Sequence, residues 1–398
     1  MKVWTAISVG IGLCCLSVAN ASPSVEQRLK SSELLVRGAA DIEEIRPLLV
    51  EFRRRNPDIE LTYIEESTID LYHNMLSGEY DSTDVIASSA MDLQVKLVND
   101  GNAQPYLSLE TQSLPSRAKW RNEIFAFTYE PAVIAYNHQL LETIAKEPVS
   151  ELQTRADMLE FIRNYSDQMD GLIGTFDIDS VGVGYLLWSY DSQQTASYGR
   201  ILESFGIHNA KLYSSSKAML DALNKGKIAF AYNVLGTYAN SVTRSNPHIK
   251  LLLPKDYTTA IMRTAFIKKD APNPYAARRY IDFLLSINGQ QILAESSSLS
   301  PIRTSVTSHS TGTSYSASNN HSAANKRPAD DHHLAGNSHV AGNSPIKRSE
   351  LYFQQERGPI RSIPLGLRLL IMTDKLKREV LINEWKSALI VGWSPEED

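Results

Sequence analysis

The sequence predicts an α/β protein built from two successive sheet-and-helix units. Two observations carry that reading: strand, turn and helix periods repeat from Glu33 to Leu97, and a second series of the same kind runs from Leu172 to Glu295. The 42% apolar content is enough for cores of ordinary size in both units.

The first unit opens with Leu34-Leu35-Val36, a short apolar run ending in Arg37-Gly38-Ala39-Ala40-Asp41. Ile45, Leu48, Leu49 and Phe52 then recur at helical spacing, and Asn56-Pro57-Asp58 stops that helix. Ile59 to Ile64 alternates as a strand, Asp70 to Ser77 reads as a helix, and Asp84 to Ala87 as a third strand. Ser88-Ser89-Ala90-Met91-Asp92 leads into a helix carrying Leu93, Val95 and Leu97. Repeats of this size imply a mostly parallel sheet with helices on both faces.

Ile124 to Tyr129 and Pro131 to Asn137 read as two adjacent strands joined at Glu130-Pro131. A helix with Met158, Phe161 and Ile162 on one face follows, then a strand at Leu172 to Thr175 and an aromatic-rich helix starting at Tyr185. Ser214 to Asn224 is amphipathic, and Lys227 to Asn233 is a strand expected to end in a polar turn. Ile249 to Leu253 and Arg263 to Lys268 read as strands, and Pro274 to Glu295 as one long helix.

Both ends carry separate signals. Lys2, the apolar run Val3 to Val18 and Ala19-Asn20-Ala21 form the pattern of a cleaved export signal over residues 1–21, so the mature chain is expected to start near Ser22 and work outside the cytoplasm. The only cysteines, Cys14 and Cys15, lie in that run, which removes disulfides, a thiol nucleophile and a cysteine metal site from the expected mature chain. Residues 304–357 are rich in Ser, Asn, His and Gly without apolar period and are expected to be disordered. His309, His321, His332, His333 and His339 in this tract could capture a metal, or the tract could record a reading-frame slip; a linker is the simpler reading. Residues 358–398 are expected to form helices, with Leu367, Leu370, Leu376, Val380 and Trp385 as an amphipathic stripe.

The net charge of −5 offers no basic surplus for nucleic acid. No Gly-x-Ser-x-Gly elbow, His-Glu-x-x-His pair or phosphate loop marks an enzyme, and the chain is expected to be non-enzymatic, without cofactor or metal. In parallel sheets, ligands meet the loops at the carboxyl ends of strands. The candidate ligand-binding residues are therefore Gly38, Ala39, Ala40, Ser88 and Ser89 in the first unit, and Thr175, Ser180, Gly182, Tyr232 and Asn233 in the second. Small residues let backbone approach a ligand, while hydroxyls, amides and helix N-termini donate to an oxyanion. The same residue types are ordinary caps and turn formers, so four such turns taken together carry the reading better than any one. Arg37 and Arg263 are possible charge partners, against the competing reading of surface arginines.

Glu130-Pro131-Ala132-Val133-Ile134-Ala135-Tyr136-Asn137, Gly226 to Tyr232, and Ala271-Pro272-Asn273-Pro274 with Ile281-Asp282-Phe283-Leu284-Leu285-Ser286 and Gly289-Gln290 resemble the bacterial extracellular solute-binding proteins that serve ABC importers. The resemblance implies a periplasmic, monomeric, two-lobed periplasmic-binding-protein fold of type II character, with crossing hinge strands and a low-complexity insertion before C-terminal helices. Lobe 1 would be residues 22–135, with part of 255–303 returning to it, and lobe 2 residues 136–254. It further implies a small anionic ligand such as a phosphoglycerate, and a membrane partner, either a sensor kinase that induces the transporter or an ABC permease. Ferric iron is the alternative cargo, but the adjacent tyrosines typical of that branch are absent at Tyr232-Asn233.

Overall fold

The computed structural model describes residues 32–194, 197–303 and 360–390. The export signal over 1–21 and the low-complexity tract over 304–357 lie outside these residues. Strands β1 (Ser32–Gly38), β2 (Ile59–Glu65) and β3 (Val85–Ser88) alternate with helices α1 (Ile42–Arg55), α2 (Thr68–Ser77) and α3 (Met91–Asn99). The short α4 (Leu109–Gln112), then β4 (Lys119–Trp120) and β5 (Ile124–Ala126), lead to β6 (Glu130–Asn137), α5 (His138–Ala145) and α6 (Arg155–Asn164). Next come β7 (Ile173–Phe176), α7 (Gly182–Gln194), α8 (Tyr198–Ile207), β8 (Lys211–Tyr213), α9 (Ser216–Asn224), β9 (Phe230–Leu235) and α10 (Gly236–Ser245). The series ends with β10 (Ile249–Leu252), β11 (Thr258–Ile261), β12 (Thr264–Ile267), α11 (Pro274–Leu285), α12 (Ile287–Ser296), β13 (Ile360–Ser362), α13 (Arg368–Met372) and α14 (Lys375–Leu389).

These elements form two sheets, each the centre of one lobe. The first has the order β2-β1-β3-β12-β5-β4, with β1, β2 and β3 parallel and β12 antiparallel to both β3 and β5. The second has the order β13-β11-β6-β9-β7-β8, with β10 also on β6. Every residue of β6 is buried, which explains why the run Pro131 to Tyr136 between Glu130 and Asn137 is apolar on both faces rather than alternating.

The chain passes between the sheets at 127–129 and again at Met262-Arg263. Phe127 N–H donates to the Arg263 carbonyl at 2.9 Å and Tyr129 N–H to the Ser300 carbonyl at 2.9 Å, so the crossings are hydrogen-bonded side by side. β13 adds to the second sheet beside β11, after which Leu365 N–H bonds the Arg117 carbonyl of lobe 1 at 2.9 Å. Helix α13 then packs on α3 of lobe 1, and α14 on α8 of lobe 2. The C-terminal segment thus straddles both lobes. No helix among the described residues is long and apolar enough to cross a membrane.

Several expectations are corrected. β5 and β6 do not pair as neighbours; they belong to different sheets, and the crossing at 127–129 falls ahead of the boundary expected at 135 because all of β6 serves the second sheet. The helix expected over 274–295 is two helices, broken at Ser286, whose hydroxyl caps α12 by accepting from Gly289 N–H at 3.1 Å. β9 runs two residues past Asn233, so the expected turn at Tyr232-Asn233 is mid-strand. α7 starts at Gly182, three residues earlier than expected. β11 is only four residues long, and α8 was not among the expected elements although its buried Tyr198, Ile201, Leu202 and Phe205 recur at helical spacing.

The packing of α14 on α8 depends on one close approach. A Cβ placed on Gly206 would lie 1.9 Å from the Ala388 carbonyl oxygen, a contact that no side-chain motion relieves. Gly206→Ala is expected to destabilise the chain by about 1–3 kcal/mol, the usual cost of overpacking. Thermal unfolding together with limited proteolysis checks this, the variant losing protection of residues 375–389.

Candidate ligand-binding cleft

A cleft of about 400 Å³ lies between the lobes, at the carboxyl ends of the parallel strands of both sheets. Lobe 1 contributes Ala39 and Asp41 after β1, Glu65 to Thr68 after β2, and Ser89 after β3. Lobe 2 contributes Phe176, Ser180 and Val181 after β7, Ser214 to Lys217 after β8, and Leu235 and Tyr238 at the end of β9 and start of α10. Arg263, at the second crossing, lines the floor.

Arg263 is buried rather than a surface arginine, with 2% of its area exposed. Its Nε donates to Glu130 Oε1 at 3.1 Å, its Nη1 to the Ala39 carbonyl at 3.2 Å, and its Nη2 to Tyr238 Oη at 3.1 Å. Glu130 is itself fully buried and also accepts the Thr237 hydroxyl. Burial works against the guanidinium charge, but Tyr238 and Glu130 outweigh it and hold Arg263 above its ordinary pKa. This pair joins the first turn of lobe 1 to the start of α10 in lobe 2. Since Glu130 neutralises it, the floor is polar with little net charge.

The other charged groups differ in how far they are engaged. Arg37 does not line the cleft; it donates to Glu66 and, through Nε, to Thr83 Oγ1 at 2.9 Å, lying over the Tyr80 ring. Glu66 is therefore neutralised from behind. Glu65 Oε2 accepts the Ile42 N–H at 2.8 Å, capping α1 in place of Asp41, whose side chain makes no cap bond. Lys217 makes no ion pair among the described residues. Exposed Ser67 caps α2, accepting from Asp70 N–H at 3.0 Å, and Ser215 caps α9, accepting from Ala218 N–H at 3.1 Å. The Ser67 and Ser180 hydroxyls donate to Asp70 and Asp177, each at 2.7 Å, and Tyr238 hydrogen-bonds the Asp41 carboxylate, so the groups left facing a solute are the Lys217 ammonium and the Ser89 and Ser214 hydroxyls, with Asp41 beside them.

The two walls touch. Gly182 N–H, at the start of α7, donates to Thr68 Oγ1 of α2 at 3.0 Å, and a Cβ on Gly182 would press on Leu93, Thr68 and Ala90 of lobe 1. Glycine at 182 lets the lobes meet.

Of the ten candidate residues, Ala39, Ser89 and Ser180 line this cleft. Gly38 lies behind it under the Tyr63 ring, and Ala40 and Ser88 line a small apolar void on the inner side of the same turns. Gly182 makes the lobe contact just described. Thr175 is fully buried and accepts the Trp188 Nε1–H at 2.9 Å.

Tyr232 and Asn233 are spent in a buried network. Both donate to Asp191 Oδ2, at 3.0 and 2.7 Å, Tyr257 donates to Asp191 Oδ1 at 2.9 Å, and Arg155 Nε donates to Tyr232 Oη at 3.0 Å. Burial raises the Asp191 pKa, while Arg155 and the three donors pull it down. Because β9 is central in its sheet, its side chains at these positions enter the core rather than the cleft. Ser214 to Lys217 were missed as ligand groups; their signal was a serine run opening an amphipathic helix, which also reads as a plain cap.

The chain belongs to the bacterial extracellular solute-binding protein family, whose model matches residues 34–296. Among solved structures it is similar to the substrate-binding protein of an ABC transporter from Agrobacterium tumefaciens, with 28% identity, a TM-score of 0.73, and 92% of this chain and 97% of that one covered. It shares its fold with the periplasmic binding protein AfuA of Actinobacillus pleuropneumoniae, solved with exogenous fructose-6-phosphate (16% identity, TM-score 0.65, 90% and 99% covered). A structure described as a two-component system protein mediating signal transduction also shares the fold (19% identity, TM-score 0.55, 69% and 88% covered). No curated protein sequence matches the chain. The fold is the two-lobed α/β fold of periplasmic binding proteins, and the protein is a solute-binding protein of the ABC-transporter type, a class that binds substrates rather than transforming them.

Arg263→Met is expected to lower stability by about 3–5 kcal/mol, because it leaves Glu130 buried without a counter-charge. The double variant Arg263→Met, Glu130→Gln recovers a large part of that loss. Chemical denaturation of the three proteins checks the order.

Proposed function

We propose that the chain is a periplasmic receptor for a small organic anion that also carries a hydroxyl group, a phosphoglycerate being the compound that best fits this description. The carrying observation is the pairing of the Lys217 ammonium, which makes no ion pair among the described residues, with the hydroxyls of Ser89 and Ser214 around the cleft, beside the Asp41 carboxylate that Tyr238 hydrogen-bonds. An ammonium and hydroxyl donors suit a phosphate or carboxylate. A carboxylate on the facing wall suits a ligand hydroxyl. Of the ten candidates, Ser89 takes part in this arrangement, with Ala39 and Ser180 on the cleft wall.

The same fold holds fructose-6-phosphate in the Actinobacillus protein, in keeping with a phosphorylated cargo. Ferric iron is disfavoured: Tyr238, the tyrosine of the cleft, is engaged by Arg263, and Glu65 and Glu66 are held by α1 and Arg37. Among the described residues no cluster of three or more His, Cys, Asp or Glu could hold a metal ion.

In this reading, ligand closes the lobes and the closed form is recognised at the membrane. A sensor kinase that induces the transporter is the partner proposed here, with an ABC permease as the second partner. The fold shared with a protein of two-component signalling supports the first, and the similarity to the Agrobacterium ABC-transporter protein the second.

Isothermal titration with 2- and 3-phosphoglycerate, phosphoenolpyruvate, fructose-6-phosphate and ferric citrate tests the cargo. Saturable binding of a phosphoglycerate is expected, weakened roughly 10- to 100-fold in Lys217→Met, the span of one charge-assisted hydrogen bond. Binding of ferric citrate alone overturns the reading.

A further inference from the structure

We propose that Asp92 couples closure of the lobes to proton uptake, and that Arg378 of the C-terminal helix sets the pH at which the coupling operates. Asp92 lies on α3 of lobe 1, fully buried, and neither carboxylate oxygen has a hydrogen-bond partner among the described residues. Two other parts of the molecule meet it. Tyr185 comes from α7 of lobe 2 and donates its hydroxyl to the Met372 carbonyl of α13 at 2.8 Å. Arg378 comes from α14, and its guanidinium stacks on the Tyr185 ring 4.0 Å from the centroid, with Nη1 buried and unpartnered. A buried lobe 1 carboxylate, a buried lobe 2 phenol and a half-buried C-terminal cation therefore interact at one junction, and neither oxygen of the carboxylate is hydrogen-bonded there.

The remaining neighbours of α3 add no further charge to the junction. β5 and β12 contain no titratable residue, and Asp70 and His73 of α2 and Arg368 of α13 are exposed. Asp374, at the start of α14, is exposed and acts on Tyr185 rather than on Asp92. Burial pushes the Asp92 carboxyl up to about 6, against the pull of Arg378 and of the amides of Leu93 and Asp92.

Opening the cleft withdraws α7 from α3, since the start of α7 meets lobe 1 through Gly182 and Thr68. Water then reaches the carboxylate and its pKa returns towards the ordinary value near 3.8. A group whose pKa is higher in the closed form favours that form as pH falls. The gain grows below about pH 6 and saturates below the ordinary carboxyl value, reaching about tenfold in the closed-to-open ratio between pH 7.5 and pH 5.

The test needs no ligand, so it stands or falls separately from the cargo proposed above. Spin labels at Ser77→Cys in lobe 1 and Lys225→Cys in lobe 2, in the full chain with Cys14→Ser and Cys15→Ser, report the distance between lobes by electron-spin resonance. The closed population is expected to rise about tenfold relative to the open one from pH 7.5 to 5. Asp92→Asn removes that dependence while keeping shape and volume. Arg378→Met, which takes away the charge that lowers the carboxyl pKa, moves the midpoint to higher pH; this readout does not depend on the Asp92→Asn protein folding. An unchanged distance distribution across this range, or a midpoint indifferent to Arg378, overturns the proposal.

Discussion

At the floor of the cleft, where the chain passes between its two sheets, a guanidinium and a carboxylate are both withdrawn from water. Neither charge could stay there alone, since an unpaired buried ion costs several kcal/mol. Arg263 and Glu130 satisfy each other, and the remaining donors of Arg263 reach the Ala39 carbonyl of lobe 1 and the Tyr238 hydroxyl of lobe 2. The pair thereby sets the distance between the first turn of one lobe and the start of α10 in the other. It also neutralises the floor, so the ligand must be held by the walls.

The walls are organised by the same demand that buried or capped groups be satisfied. Glu65 is taken by the start of α1, Glu66 by Arg37, Asp41 by Tyr238, and Ser215 by its own helix, which leaves Lys217 and the Ser89 and Ser214 hydroxyls facing a solute. A binding site in this family member is what remains after the fold has used the polar groups it needs. Closure adds a second constraint, because α7 meets α2 and α3 so closely at Gly182 that a Cβ there would lie 3.0–3.2 Å from Leu93, Thr68 and Ala90, beside the contact with Thr68.

Much of the architecture was legible because burial leaves periodic traces. Ile45, Leu48, Leu49 and Phe52 mark the buried face of α1, and Met158, Phe161 and Ile162 that of α6. The site was less legible. Ala39, Ser89 and Ser180 follow strands of their sheets and do line the cleft, whereas Tyr232 and Asn233 looked like a strand-end turn only because polar residues inside a central strand are unusual. Asp191 and Arg155, remote in sequence, supply the partners that make a polar strand interior stable there.

Local sequence by itself determined the two α/β units, the position of most helices and the rule that ligand groups follow strand ends, since these depend on period and capping within a few residues. Pairing across the chain was decided only by the tertiary structure: that β5 and β6 part into different sheets, that Arg263 is spent on Glu130, and that the C-terminal helices bridge both lobes. The physical reason is that a polar side chain is a ligand, a cap or half of a buried pair according to what lies opposite it, and those opposite groups come from distant parts of the sequence.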